Sequence, residues 1–350
     1  MTTGHHGPAV RRHQGPAVRR RGGPARYLTA LALCLLLLAG ALLASVMFGS
    51  QPTSLREVLD VLTGGGEDYT RTVIESRYPR TVLGLLAGLC LGVAGTLMQG
   101  VTRNPLAEPG LLGLNAGAAA AIVAGTAYAG ASGQRETIWW ALAGALVTGV
   151  VVHVVGSVGG GGGPVRLVLA GAVLSAVLAA FVQAVALSRP QVFDTYRYWV
   201  VGSLAGRDYD AAWAVLPFCA VGLALAVVLA PGLNAMAMGE DKAASLGISP
   251  ARVKGGGLLA ATLLCASATA AVGPIAFVGL AVPHLVRALV GADFRAQIAF
   301  TALAGPTLLL LADVVGRILL RPQELMVGVV TAFVGAPALL FAVRRMRGAT

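Results

Sequence analysis

Gln99-Gly100-Val101-Thr102-Arg103-Asn104-Pro105-Leu106-Ala107-Glu108-Pro109-Gly110-Leu111-Leu112-Gly113-Leu114-Asn115-Ala116-Gly117 lies between two long apolar runs and compresses polar residues, prolines and glycines into a short segment. Asn104-Pro105 and Glu108-Pro109 each push the residue before the proline out of the helical region, and each proline removes a backbone donor. The spacing predicts one helix ending near Val101 and another starting near Pro109 or Gly110, with Glu108 beside the positive end of the second. An ordinary helix–helix turn has the same spacing.

Outward from this stretch the chain is apolar. Its 350 residues are 56% hydrophobic and 12% charged, against about 25% charged in a soluble domain. Apolar segments recur that are long enough to cross about 30 Å of hydrocarbon, and the alternation that a membrane barrel needs is absent. The fold class expected is therefore an all-α polytopic membrane protein. The net charge of +11 could suggest nucleic acid. Much of it lies in an N-terminal tail and in loops beside the spans, where anionic lipid and the positive-inside rule account for it. Cys34, Cys90, Cys219 and Cys265 all sit in apolar runs without CxxC or Cys/His spacing, so packing is expected of them rather than disulfides or a metal site.

Residues 1–26 contain Gly-Pro-Ala-Val-Arg-Arg twice and cannot form a core, so a disordered basic cytoplasmic tail is expected. A transmembrane domain over 27–345 follows, with ten spans at 27–48, 81–101, 110–128, 138–158, 167–187, 211–230, 255–272, 275–290, 296–318 and 325–343. Residues 49–80 form an outside segment, 159–163 a flexible glycine loop inside, 192–204 a short helix at the outer surface, and 346–350 the cytoplasmic C-terminus. Ten spans put both termini in the cytoplasm of a multi-pass cell-membrane protein. Both lysines, Lys242 and Lys254, then fall inside, and all four Trp fall in the outer half.

Reactive constellations are not visible. Neither lysine follows a Gly-x-x-x-x-Gly pattern or precedes Ser or Thr, so there is no Walker A phosphate loop. No Ser-His-Asp or paired-carboxylate arrangement appears. ATP-driven transport would need its ATPase on another chain, and no enzyme activity is expected of this one.

Arg103-Asn104-Pro105-Leu106-Ala107-Glu108-Pro109 with Leu112-Gly113 resembles the hallmark loop of the FecCD-type permease subunits of ABC importers for iron-siderophores, haem and vitamin B12. Further pieces follow in the family's order. They are Arg77-Tyr78-Pro79-Arg80; Trp199-Val200-Val201-Gly202-Ser203-Leu204; and Leu233-Asn234 with Gly239-Glu240-Asp241-Lys242-Ala243-Ala244-Ser245-Leu246-Gly247. Then come Gly273-Pro274-Ile275-Ala276-Phe277-Val278-Gly279-Leu280 with Pro283-His284 and Arg287, and Ala312-Asp313 with Arg317 and Glu324. Phe294 stands where the family often has His.

The resemblance implies a permease of a binding-protein-dependent importer, with iron(III)-siderophore as cargo, or haem or vitamin B12. The implied partners are a second permease chain, identical or related, an extracytoplasmic binding protein, and two copies of an ATP-binding subunit holding ATP and Mg. It implies that the coupling segment within 238–250, residues Gly239, Glu240, Asp241, Lys242, Ala243, Ala244, Ser245, Leu246 and Gly247, docks on the ATPase. About two helical turns over 240–246 would offer Ala243, Ala244 and Leu246 to a groove; a solvated connector has the same composition. Arg77, Arg80 and Arg317 would meet acidic residues of the binding protein, although Arg317 can equally pair with Asp313 at i, i+4. Asp313, a carboxylate within an apolar span, must be paired or face a cavity. Ser175 and Gln183 on the fifth span would line the translocation path or hydrogen-bond between helices, as Gln99 and His153 could. His284 reads as a structural histidine. An ion-gradient-driven carrier would need ionisable groups at mid-membrane, for which Asp313 alone is available, and a membrane enzyme would need a reactive cluster.

Overall fold

The computed structural model describes residues 24–49, 51, 53–157 and 164–347. The expected basic tail up to residue 23, the glycine loop 159–163 and residues 348–350 lie outside them. The described chain is helical, with seven helices long and apolar enough to cross a membrane and three shorter apolar ones. These ten occupy the positions of the ten expected spans.

Helix α1 (Pro24–Met47) leads to two short helices, α2 (Leu55–Leu62) and α3 (Asp68–Glu75), within the expected outside segment. Ser54 and Glu57 close a capping box at the start of α2. Val58 and Val61 of α2 pack with Ile74 of α3 in a small cluster beside Val46, Met47 and Tyr78. Helix α4 (Arg77–Thr102) starts before the expected Thr81 because α3 runs into it through Ser76. A 3-10 turn, Pro109–Leu112, precedes α5 (Leu114–Tyr128). Then come α6 (Gln134–Ser157), α7 (Pro164–Ser188), α8 (Pro190–Val200), α9 (Tyr209–Ala237) and α10 (Glu240–Ser245). The last four are α11 (Pro250–Val272), α12 (Val278–Val290), α13 (Phe294–Leu319) and α14 (Val327–Arg347). Helix α8 is the short helix expected over 192–204. Helix α12 begins three residues later than expected, because Gly273 and Phe277 both have positive φ and hold 273–277 out of helix.

Burial separates an inner from an outer set of helices. The most apolar windows of α4 and α11 are each 78% buried and that of α13 is 61%, whereas those of α1 and α7 are 17% and 11%. Helix α4 is the axis. Its small residues Gly84, Gly88, Gly92 and Gly95 recur at helical spacing on one face, and small residues let backbones approach closely in lipid, where hydrophobicity does not drive association. At Gly88 an added Cβ would stand 2.5 Å from the Pro306 Cα of α13. Most leucines of α1, including Leu28, Leu36 and Leu37, stay exposed, as a lipid-facing helix requires. The four cysteines are buried thiols.

Gly88→Val should therefore lower the unfolding midpoint in detergent by the equivalent of about 1–3 kcal/mol. Gly40→Ala on α1, where nothing lies within 4 Å of an added Cβ, should leave it unchanged. Scanning fluorimetry of the purified variants decides, and equal midpoints would remove the close-crossing argument.

Candidate functional site

The expected functional residues fall into four groups in different parts of the fold. At the end of α9, Gly239 (φ 120°) turns the chain into α10. Ala243 is buried, so it is an anchor and not the docking surface expected of it; Leu246 is 63% exposed and Ala244 is also open. Asp241, Lys242, Ser245 and Gly247 are exposed around them. Glu240 fixes the segment to its surroundings: Lys254 Nζ of α11 donates to its Oε2 at 2.8 Å, and Arg103 Nη2 approaches its Oε1 at 3.5 Å. The Lys254 hydrogen bond, with help from the charges of Lys254 and Arg103, holds the Glu240 carboxyl below its ordinary value. Lys254 and Asn234 were missed as partners by sequence reasoning. Asn234 accepts from the Phe294 N–H at 2.8 Å and donates to Asp293 at 2.7 Å, tying the end of α9 to the start of α13.

The hallmark loop begins beside this segment and runs inward. Arg103 donates to the Met236 carbonyl at 2.9 Å. Asn104 Oδ1 accepts from the Leu106 N–H at 3.0 Å, a local Asx turn, and Pro105 and Pro109 stiffen the path. Glu108 does not cap the helix that follows it, as the sequence suggested. Its Oε1 accepts the Phe277 N–H at 2.8 Å, at the start of α12, because the 3-10 turn intervenes before α5. A cavity of about 200 Å³ adjoins this contact, lined among others by Glu108, Asn115, Cys265, Thr269 and Ala276. Thr269 Oγ1 donates to Asn115 Oδ1 at 2.9 Å.

At the opposite end of the spans the three arginines expected to face a binding protein are turned into the chain. Arg77 is 7% exposed and donates to the carbonyls of Val46 at 2.7 Å, Met47 at 2.9 Å and Gln51 at 2.6 Å. Arg317 is 1% exposed. It donates to the carbonyls of Ser45 at 2.7 Å and Phe48 at 3.0 Å, and its Nε to Asp313 at 2.9 Å. Arg80 holds Asp313 at 2.8 Å and Glu324 at 2.7 Å. The end of α1 presents orphan carbonyls and a negative dipole, so buried guanidiniums are drawn to it. Free charges for docking are thus not what these three side chains offer. The i, i+4 pairing of Arg317 with Asp313 is present, and Asp313 is paired as a carboxylate at that depth must be.

Helix α7 carries the residues expected on the path. Ser175 is half-buried and donates to the Gly171 carbonyl of its own helix at 2.7 Å, and Gln183 is exposed. Val165, Leu169, Val173 and Val177, each four residues apart, form an exposed stripe on the same helix. Gln99 reaches the Gly279 and Leu280 carbonyls of α12 at 3.4 Å, the helix-to-helix reading. His284 is exposed, contrary to the structural role expected of it, and so is His153.

The FecCD transport family matches residues 35–345. The chain is 49% identical over 313 residues to the ferric enterobactin transport system permease protein FepD of Escherichia coli, covering 89% of this chain and 93% of that one. It is 36% identical to the Fe(3+) dicitrate transport system permease protein FecD of the same organism, over 89% of this chain and 97% of that one. It is 34% identical to the hemin transport system permease protein HmuU of Yersinia pestis, over 89% and 94%. Among solved structures, an inward-facing metal-chelate type ABC transporter superposes with a TM-score of 0.80 at 25% identity, covering 91% of this chain and all of that one.

Two outcomes test the charged contacts. Asp313→Ala leaves Arg317 without a carboxylate partner in a buried place, while Arg80 keeps Glu324, and should cost about 3–5 kcal/mol. The double variant Asp313→Leu with Arg317→Met should lose less than the two single changes together, read from unfolding midpoints in detergent; additive losses would refute the pairing. At the other end, Glu240 is held below its ordinary value of 4.5. Such a group stabilises above its unfolded pKa, and the contribution disappears as pH falls through the lowered folded value. Amide protection over 239–247, corrected for intrinsic exchange, should therefore be flat from about pH 8 to about pH 5 and fall only below the ordinary carboxylate range. Loss of protection near neutral pH would contradict the Glu240–Lys254 tie.

Proposed function

The chain belongs to the FecCD transport family, and on that premise we propose that it carries iron(III)-siderophore complexes inward as the membrane-spanning half of an ABC importer. The observation that carries the cargo assignment is the 49% identity, over nearly the whole chain, to a permease named for ferric enterobactin, against 34% to one named for hemin. The reading places the chain in the cytoplasmic membrane with both termini inside. Lys242, Arg252 and Lys254 around α10 support that orientation, since basic residues accumulate on the cytoplasmic side.

ATP and Mg sit on a separate subunit, two copies of which dock from inside. The exposed Ala244 and Leu246 of α10 enter a groove on that subunit, and the Glu240 tie to Lys254 and Arg103 passes the push into α11 and the hallmark loop. A second permease, identical or related, covers the valine and leucine stripe of α7, which this chain leaves bare, and Gln183 on that helix then borders the path between the two. The binding protein lands on the outer surface that α2, α3 and the loop around Glu324 form. Arg77, Arg80 and Arg317 act beneath it, holding the ends of α1, α4 and α13 in place.

Uptake of radiolabelled iron tests both cargo and coupling. Cells lacking this chain should lose uptake of one siderophore class while haem and vitamin B12 uptake continue, and Leu246→Arg should reproduce that loss with the chain still in the membrane. Retained siderophore uptake with lost haem uptake would move the cargo. Uptake that survives Leu246→Arg and ATP depletion would overturn ATP coupling through α10.

A further inference from the structure

The geometry points to Glu108 as the positioning residue that passes movement of α10 to α12 and α14. This rests on the reading of α10 as the ATPase-facing segment. Among the described residues, two non-glycine residues have positive φ, Arg103 at 51° and Phe277 at 69°. Side chains rarely tolerate that region, and such conformations persist only where the surroundings over-determine them, often where a protein switches. These two are the ends of one linkage. Arg103 touches Glu240 of α10 and the Met236 carbonyl. From Arg103 the chain runs inward through Pro105, whose fixed φ stiffens it, to Glu108. The Glu108 carboxylate then holds the Phe277 N–H at 2.8 Å, at the positive end of α12. The Phe277 side chain lies against Gly335 of α14, where an added Cβ would come within 2.8 Å of the ring Cδ1.

The linkage also has room to move. Packed interiors switch between discrete arrangements and do not deform continuously. The cavity of about 200 Å³ is lined by Glu108 and Pro109 on one side and by Ile275, Ala276 and Gly279 on the other. Glu108 and Ala276, the residue before Phe277, therefore border a void into which the 273–277 segment can shift. A carboxylate placed only to cap one N–H would need no positive-φ residue at each end of the linkage it joins.

The test uses the whole importer, reconstituted with its ATPase and binding protein, and reads ATP hydrolysed per chelate transported. Glu108→Ala should raise that ratio about tenfold, the size of an ordinary coupling between sites, while hydrolysis persists. Glu108→Gln keeps an acceptor oxygen and should stay near the parent ratio. Phe277→Gly keeps the N–H and suits positive φ but removes the ring from Gly335, so it should uncouple as well; it serves as the test should Glu108→Ala not fold. Spin labels at Ala251, at the start of α11 to which Glu240 is tied, and Phe333 should show a nucleotide-dependent distance change that Glu108→Ala or Phe277→Gly abolishes. A parent ratio in Phe277→Gly, or hydrolysis and transport falling together in proportion, overturns the role of Glu108. If Leu246→Arg uncouples and these variants do not, this inference alone fails; if Leu246→Arg changes nothing either, the reading of α10 fails with it.

Discussion

Within hydrocarbon every backbone polar group has to find its partner in the protein itself, and the breaks in this helix bundle are arranged around that requirement. Several interruptions are met by a residue from far along the chain. The Phe277 N–H at the start of α12 goes to Glu108. The Ser203 N–H goes to the Val272 carbonyl and the Gly328 N–H to the Gly202 carbonyl, closing the outer ends of α11 and α14 against the loop after α8. The bare carbonyls ending α1 are taken by Arg77 and Arg317. Short helices such as α5 and α12 can stop partway because their ends are supplied from outside the helix.

That accounting explains why three arginines of a family motif face inward. A guanidinium exposed at the surface gains little from one ion pair. One buried among carbonyls and a carboxylate is held by several hydrogen bonds, and removing a partner leaves an uncompensated charge. Asp313 sits between Arg80 and Arg317, so α4 and α13 are joined by charge toward one end of the same helix pair that Gly88 and Pro306 let touch at mid-helix. Close backbone approach and buried charge reinforce one another there.

What the sequence made legible follows the range of each signal. The ten spans are local and periodic in hydropathy, and they stand where expected. The Asp313–Arg317 pair lies at i, i+4 and was also readable. Helices α2 and α3 were missed because they are short and polar on one side; the Ser54–Glu57 capping box announces α2 only, and α3 has no side-chain cap. The partners of Glu108 and Arg80 are 169 and 233 residues away, and no local pattern marks them. Ala243 was read as a docking residue because alanine at an exposed and at an anchoring position looks the same. Its burial depends on which way α10 turns, and the Gly239 backbone sets that.

The uneven burial of the helices bears on how such a chain can move. Helices α4, α11 and α13 bury most of their apolar windows within the chain, whereas α7 buries little. A helix that owes few contacts to its own chain is cheap to displace and must be positioned by a neighbour. The deeply packed trio can shift only as a unit or by small steps at its edges, and the hallmark loop and the 273–277 segment are such edges. They are non-helical, they adjoin a void, and their ends carry the two non-glycine residues with positive φ in the described chain. On the proposed coupling, a push arriving at Glu240 would meet a stiff body with a compliant seam among the described residues, leading from Arg103 past Glu108 to the start of α12.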